Sequence, residues 1–286
     1  MTNAALAVLT GPDREAADLV GALLRGAAPL GVAFSGGVDS SLLLALAVRA
    51  LGPEHVVAVL GVSPSLAADE RAAAHQVAAH IGARVVEVAT REGESSAYRA
   101  NGPDRCFHCK DELFSRISAE VVQEHGLAAV AYGENADDAR RADRPGQRAA
   151  TAHRVLRPLA EAGLDKAAVR RLARALGLPC ADKPAAPCLA SRIPHFQEVT
   201  PAKLAQVEHA ERALRALGFT DSRVRHHGGT ARIELPPADL ARAVADPLRA
   251  TLVQAVKDAG FGTVTLDLDG IRSGAFTLSV LGADRG

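Results

Sequence analysis

The sequence predicts an α/β protein: a doubly wound parallel sheet, followed by a smaller α+β C-terminal domain. Three observations predict this. Short apolar runs alternate with amphipathic stretches of helical length through the first half of the chain. A loop of small residues, hydroxyls and one acid, "FSGGVDSS" (34–41), sits between the first apolar run and its helix. A break at 177–194 holds four of the chain's 15 prolines, so it is no regular element.

The elements follow in order. "LGVAF" (30–34) is too short for a helix and reads as a strand, with a helix at 40–51. "VVAVLGV" (56–62) is a strand and 66–82 a helix; "RVVEV" (84–88) is a strand and about 109–124 a helix. "LAAVAY" (127–132) is a strand, and 165–177 is the last helix of this half. The polar stretch 133–149 leaves a strand at its C-terminal end, the edge where open α/β sheets bind ligands. The expected division is a first domain at 1–178, a Cys- and Pro-rich linker at 179–200 and a second domain at 201–286. The second domain reads as a helix (201–217), strands near 222–226 and 231–235, a helical stretch (237–258) and a strand (263–270).

Composition narrows the function. The 286 residues exceed one typical domain, and 48% hydrophobic with 23% charged residues suits a soluble globular chain. Lys+Arg and Asp+Glu are 33 each, which argues against a dedicated nucleic-acid binder. No apolar run reaches the ~18 residues of a membrane span. The N-terminal stretch lacks the basic start of a secretory signal. Four cysteines without an export signal fit a reducing, cytoplasmic setting, where thiols bind metal or react. No internal repeat is found.

In the loop, Gly36 and Gly37 let backbone N–H groups turn inward, and the following helix adds its positive N-terminal end. Ser35, Ser40 and Ser41 add hydroxyls, giving an anion nest sized for phosphates. It is not a Walker A loop, because GxxxxGK[ST] is absent. On these residues the chain resembles the PP-loop ATP pyrophosphatases, the adenine nucleotide alpha hydrolase-like fold; Ser35, Gly36, Gly37, Asp39 and Ser40 match the motif. The resemblance implies adenylation by ATP with Mg2+, pyrophosphate leaving into the loop. It also implies that Gly61, Val62 and Ser63 cradle adenine. Asp39 is a candidate acid near the metal, or a helix N-cap.

"NGPDRCFHCKDELF" (101–114) contains Cys106-x-x-Cys109, and Cys180 and Cys188 follow far along the chain. From the residues alone the pair is a redox couple, half of a zinc site, two ligands of an iron–sulfur cluster, or simply two inert small residues. Cys188 lies in the polar linker; Cys180 follows "LGLP" and reads as buried.

Several further motifs resemble one PP-loop branch, the LarE family of ATP-dependent sulfur transferases. They are "SGGVDSS", "NGPDRCFHCKDELF", "GENADD" with "RPG", "RPLAEAGLDKAAVRRLA", "DKPAAPCLASRIP" and "RVRHHGGTARIE". The resemblance runs from about residue 12 to the C-terminus. It implies adenylation of the carboxylates of pyridinium-3,5-biscarboxylic acid mononucleotide and replacement of AMP by sulfur, on the path to the nickel-pincer nucleotide cofactor of lactate racemase. The family has two versions. In one, a single cysteine at the position of Cys188 gives up its own sulfur. In the other, three cysteines, here Cys106, Cys109 and Cys188, hold a 4Fe-4S cluster with a transferable sulfide; the extra pair points to this version. Asp182 departs from the family, which often has a bulky aromatic before "KPA".

Arg223 and Arg225 alternate, so on a strand they share a face. With Ser191 and Arg192 they are candidates to grip the substrate's phosphate. The family resemblance adds Glu211 and Glu234 as pocket acids. Asn135 and Asp138 are candidates near the ATP phosphates, Mg2+ or ribose, and Arg144 and Lys110 are further candidate phosphate contacts. His226 and His227 are not at metal-ligand spacing and read as loop residues. Two other classes compete: tRNA thiolation, which also uses CxxC plus a third cysteine, and a non-catalytic ATP-binding sensor. Neither a nucleic-acid nor a membrane partner is expected, the sulfur donor is not legible, and the family implies a homo-oligomer.

Overall fold

A computed structural model describes residues 8–140 and 145–271. The chain divides into two compact units: Met1–Glu92 with Cys106–Ala186, and Gly93–Arg105 with Pro187–Gly286.

The first unit holds a four-stranded sheet in the order β3-β2-β1-β4, formed by β1 (Leu30–Ala33), β2 (Val56–Val62), β3 (Arg84–Ala89) and β4 (Ala129–Tyr132). All its pairs are parallel, with Leu30 beside Val56 on one side and Ala129 on the other. Both faces are covered, and the period-2 alternation of side chains shows how. Val56, Ala58 and Leu60 of β2 join one core with α1 (Gly11–Leu24), α2 (Val38–Leu51), α3 (Ala68–Ile81) and the helix Lys166–Ala175. Val57 and Val59 join a second core, with Phe114, Ile117 and Val121 on the opposite face. This is the doubly wound α/β arrangement. The strand order reverses between β1 and β4, so the crevice at their C-terminal ends is the expected ligand position.

The structure adds α1 and the short helices Pro145–Ala152 and Pro158–Glu161, which local pattern did not announce. The helix expected from 109 begins at Arg105 and runs to Arg116, then passes through a π-helical turn, Ile117–Val121, that keeps Ile117 and Val121 buried.

In the second unit β5 (Arg223–His227) pairs antiparallel with β6 (Thr230–Glu234), and β6 pairs parallel with β7 (Thr263–Leu266). The turn between β5 and β6 is Gly228-Gly229, with Gly228 at φ +62°. His226 and His227 therefore belong to the β5 ladder and are not loop residues. His226 is buried, its Nε2 lies 3.0 Å from Gln206 Oε1, and burial lowers its pKa. The helix Pro201–Ala216 starts at Thr200, whose Oγ1 accepts the Lys203 N–H at 3.3 Å. The stretch 237–258 is two helices, Pro237–Val244 and Leu248–Asp258, separated at Asp246-Pro247. The last strand stops at Leu266, because the chain turns back through Gly270, whose N–H reaches Asp267 O at 3.2 Å.

Residues 93–105 are tied into this unit by Asn101, which is fully buried. Its Nδ2 donates to the carbonyls of Ile193, Pro194 and Gln197 at 3.2, 2.7 and 3.1 Å. Arg105 donates to Asn101 Oδ1 and Ala190 O at 2.6 and 2.8 Å. Among the described residues no helix is long and apolar enough to cross a membrane.

Candidate active site

The loop after β1 closes on itself. The Ser40 Oγ accepts the Ser35 N–H at 3.2 Å, lies 3.2 Å from Ser35 Oγ and donates to Gly37 O at 3.1 Å. Gly36 sits at φ +72°, and a Cβ there would stand 2.8 Å from Ala74 Cα, so only glycine fits between loop and α3. Gly37 caps α2 with no side-chain bond, which leaves the helix's first-turn amides available to an anion. Ser41 is fully buried, so of the three serines only Ser35 and Ser40 serve the loop.

Two other elements reach this loop. Gly133, just past β4, packs so closely that a Cβ would lie 2.6 Å from Ser40 N. The Asn135 side chain N-caps the short helix Ala136–Ala139 by accepting the Asp138 N–H at 3.0 Å. Its Nδ2 lies 3.1 Å from Asp39 Oδ1 and 2.9 Å from Asp138 Oδ2, so one amide links two carboxylates. Lys166, at the start of Lys166–Ala175, places Nζ 2.5 Å from Asp39 Oδ2. Asp39 and Asp138 are hard oxygen donors of the kind Mg2+ takes, beside a loop suited to phosphates, so the residues fit that ion.

Ser63, past the end of β2, donates to Glu92 Oε1 at 2.5 Å and accepts the Ser65 N–H at 3.2 Å. Glu92 is buried. A Cβ on Gly61 would meet the tip of the Leu113 side chain, Cδ1, at 2.8 Å. Lys110 sits with Nζ 4.4 Å from the centre of the Tyr132 ring, and the far end of its side chain lies against Gly146. Burial first, and then the Glu134 carboxylate, push the Tyr132 phenol far above its usual pKa. Arg144 lies outside the described residues.

Cys106 is exposed and Cys109 half-buried, three residues apart on one helix and so on one face. Cys180 is buried among the apolar side chains of the first unit's main core. Among the described residues no group of three or more His, Cys, Asp or Glu is gathered as a metal site. The Cys106 and Cys109 thiols fit two ligands of a cluster by chemistry and spacing.

In the second unit Cys188 is exposed and caps the short turn Leu189–Arg192. Arg192 is buried against Glu211 in a two-bond pair of 2.8 and 3.0 Å, and its Nη1 donates to Pro187 O and Ser191 Oγ at 2.6 and 2.9 Å. Arg225 donates to Ser191 O at 2.9 Å and Glu234 Oε2 at 2.8 Å, and Arg232 takes Glu234 Oε1 at 3.0 Å. Arg223 donates to Asp221 Oδ1 at 2.7 Å. The two arginine–glutamate pairs thus fix the turn that carries Cys188 and Ser191.

The structure brings Ser35, Gly36, Gly37, Ser40, Asp39, Asn135 and Asp138 together. It places Ser63 with Glu92, and Lys110 on Tyr132. Sequence reasoning missed Lys166, Glu92 and Gly133. Lys166 lies in "GLDKAAVRRLA", where Asp165 already marks a helix start by accepting the Ala168 N–H at 2.7 Å.

Sheet order, switch point and loop define a PP-loop α/β protein. The family model described as asparagine synthase matches residues 15–119. An uncharacterized protein of Synechocystis sp. is 43% identical over 243 residues, covering 85% of this chain and 90% of that protein. The pyridinium-3,5-bisthiocarboxylic acid mononucleotide synthase of Lactiplantibacillus plantarum is 37% identical over 243 residues, covering 85% of this chain and 87% of the synthase. The chain belongs to the LarE family.

Proposed function

We propose that this chain is an ATP-dependent sulfur transferase acting on pyridinium-3,5-biscarboxylic acid mononucleotide, in biosynthesis of the nickel-pincer nucleotide cofactor of lactate racemase. The observation that carries this reading is the Ser35–Ser40 loop at the sheet's switch point, with Asp39 linked to Asn135 and Lys166. The name of the Lactiplantibacillus plantarum relative supports the substrate class.

A substrate carboxylate oxygen attacks the α-phosphorus of ATP. The bond from that phosphorus to the bridging oxygen breaks, and pyrophosphate leaves with the electron pair. The loop amides, Ser35 and Ser40 stabilise the departing charge. Asp39 and Asp138 would hold the Mg2+ that shares it, with Asn135 fixing both carboxylates and Lys110 and Arg144 as further phosphate contacts. The adenine is assigned to the Gly61–Ser63 end of β2. A sulfur nucleophile then adds to the acyl carbon and AMP leaves, giving a thiocarboxylate; a second round converts the other carboxylate.

Cys106, Cys109 and Cys188 would hold a 4Fe-4S cluster, which supplies a transferable sulfide when bound. The substrate phosphate is assigned to Ser191, Arg192, Arg223 and Arg225, with Arg192 and Arg225 oriented by Glu211 and Glu234.

The test is pyrophosphate release from ATP by anaerobically prepared protein, with the pyridinium compound, bulk tRNA or no acceptor. Release dependent on the pyridinium compound is expected. Release dependent on tRNA, or none, would overturn the reading.

A further inference from the structure

We infer that Lys166 is a positioning residue with two partners: Asp39 in the nucleotide-free chain, and the pyrophosphate portion of ATP once a divalent cation takes the Asp39 carboxylate. The inference rests on the ATP-dependent reading above and adds to it a residue and an exchange of partners.

Four observations carry it. Lys166 is the first residue of its helix, where the macrodipole disfavours a cation, and Asp165 already caps that helix. Helix stability therefore does not account for a lysine there. Its backbone is anchored independently, because the Lys166 N–H donates to Asp137 Oδ2 at 2.9 Å. The side chain is free to leave while the anchor stays: it is 40% exposed against 22% for Asp39, on a flexible four-carbon stem whose ammonium acts as a point charge.

Finally, a cation stands beside Asp39 in the nucleotide-free chain. Asp39 and Asp138 share the single Asn135 amide nitrogen, and two carboxylates so placed repel each other. Lys166 supplies a compensating charge at Asp39 when no metal is present. When a divalent cation arrives, Asn135 still holds Asp39 Oδ1, so the carboxylate keeps its aim while Oδ2 changes partner. The displaced ammonium is then a counter-charge for a polyphosphate bound in the loop.

The test uses the full chain with Lys166→Met and Lys166→Arg, and thermal melts to verify folding. Binding of Mn2+ alone is followed by the electron paramagnetic resonance of the free ion, and binding of inorganic pyrophosphate with Mg2+ by calorimetry. Lys166→Met is expected to bind Mn2+ about tenfold more tightly, because Asp39 loses its competing cation, and pyrophosphate about tenfold more weakly. Lys166→Arg stays nearer to the native chain in both. A lysine that only pairs with Asp39 would also tighten Mn2+ binding when removed, but would leave pyrophosphate affinity unchanged. Mn2+ affinity that fails to rise, or pyrophosphate affinity that fails to fall, overturns the inference; should Lys166→Met not fold, Lys166→Gln is read in the same titrations. Failure of the native chain to bind either Mg-ATP or pyrophosphate would overturn the adenylation reading itself.

Discussion

Arg192 and Glu211 meet through two parallel hydrogen bonds in the interior of the second unit, with side chains 6% and 4% exposed. Glu211 Oε1 also accepts the Val224 N–H at 2.9 Å, so one carboxylate joins the turn after Cys188, the helix Pro201–Ala216 and β5. Removing it strands a buried guanidinium. Glu211→Ala should destabilise the chain by about 3–5 kcal/mol in chemical denaturation. A loss below about 1 kcal/mol would show that the pair behaves like a solvated surface bridge.

Gly133 sets how closely the loop after β4 approaches the start of α2. Gly133→Ala forces Ser40 N and the Asp39 carbonyl apart from their neighbour, since a Cβ would lie 2.6 and 2.9 Å from them. Overpacking of this kind costs about 1–3 kcal/mol. Pyrophosphate affinity should drop by about tenfold or more in calorimetry, because the loop must move. Unchanged affinity would mean that the loop's geometry does not depend on this contact.

The cysteines should separate by burial. After anaerobic reconstitution, Cys106→Ala and Cys188→Ala should lose iron and acid-labile sulfide. Cys180→Ala should keep both and lose only about 1 kcal/mol of stability, as its side chain packs in the core. Iron that survives loss of Cys188 would exclude it as the third ligand.

Glu87 on β3 gives a pH prediction. Hydrogen bonds from Arg71 first, and then His75, both on α3, hold its carboxyl down at about 2, below the ordinary 4.5. The folded value lies below the unfolded one, so the stabilisation is complete above 4.5 and is lost as pH falls through 2. Denaturant midpoints measured from about pH 5 down to about pH 2 should fall less steeply in Glu87→Gln. The side chain is 29% exposed and solvent screens the pair, so the difference should stay within about 1 kcal/mol. Equal slopes in the two proteins would assign the acid sensitivity elsewhere.

The phosphate loop was legible because residue type and position agree there: two glycines, hydroxyls and an acid between a strand and a helix admit few other uses. The sheet was legible in its strands but not in its order, since β3-β2-β1-β4 depends on pairings between distant segments. Lys166 was missed for the same reason: its partner is 127 residues away, and helix pattern says nothing about which loop a lysine meets. Glu92 stood alone in sequence and has meaning only beside Ser63. The adjacent His226 and His227 read as loop residues only because their spacing excludes a metal site, a test that says nothing about backbone pairing; the β5–β6 ladder runs through both.

Asn101 also bears on how the protein is made. Its carbonyl partners, Ile193, Pro194 and Gln197, leave the ribosome roughly ninety residues after it. At ordinary elongation speeds, Asn101 spends about 5–20 s without the carbonyls it donates to. Residues 93–105 also interrupt the first unit between β3 and the helix Arg105–Arg116. Truncating the gene after residue 186 would therefore yield no clean nucleotide-binding half, but one carrying an unfinished strip in its middle.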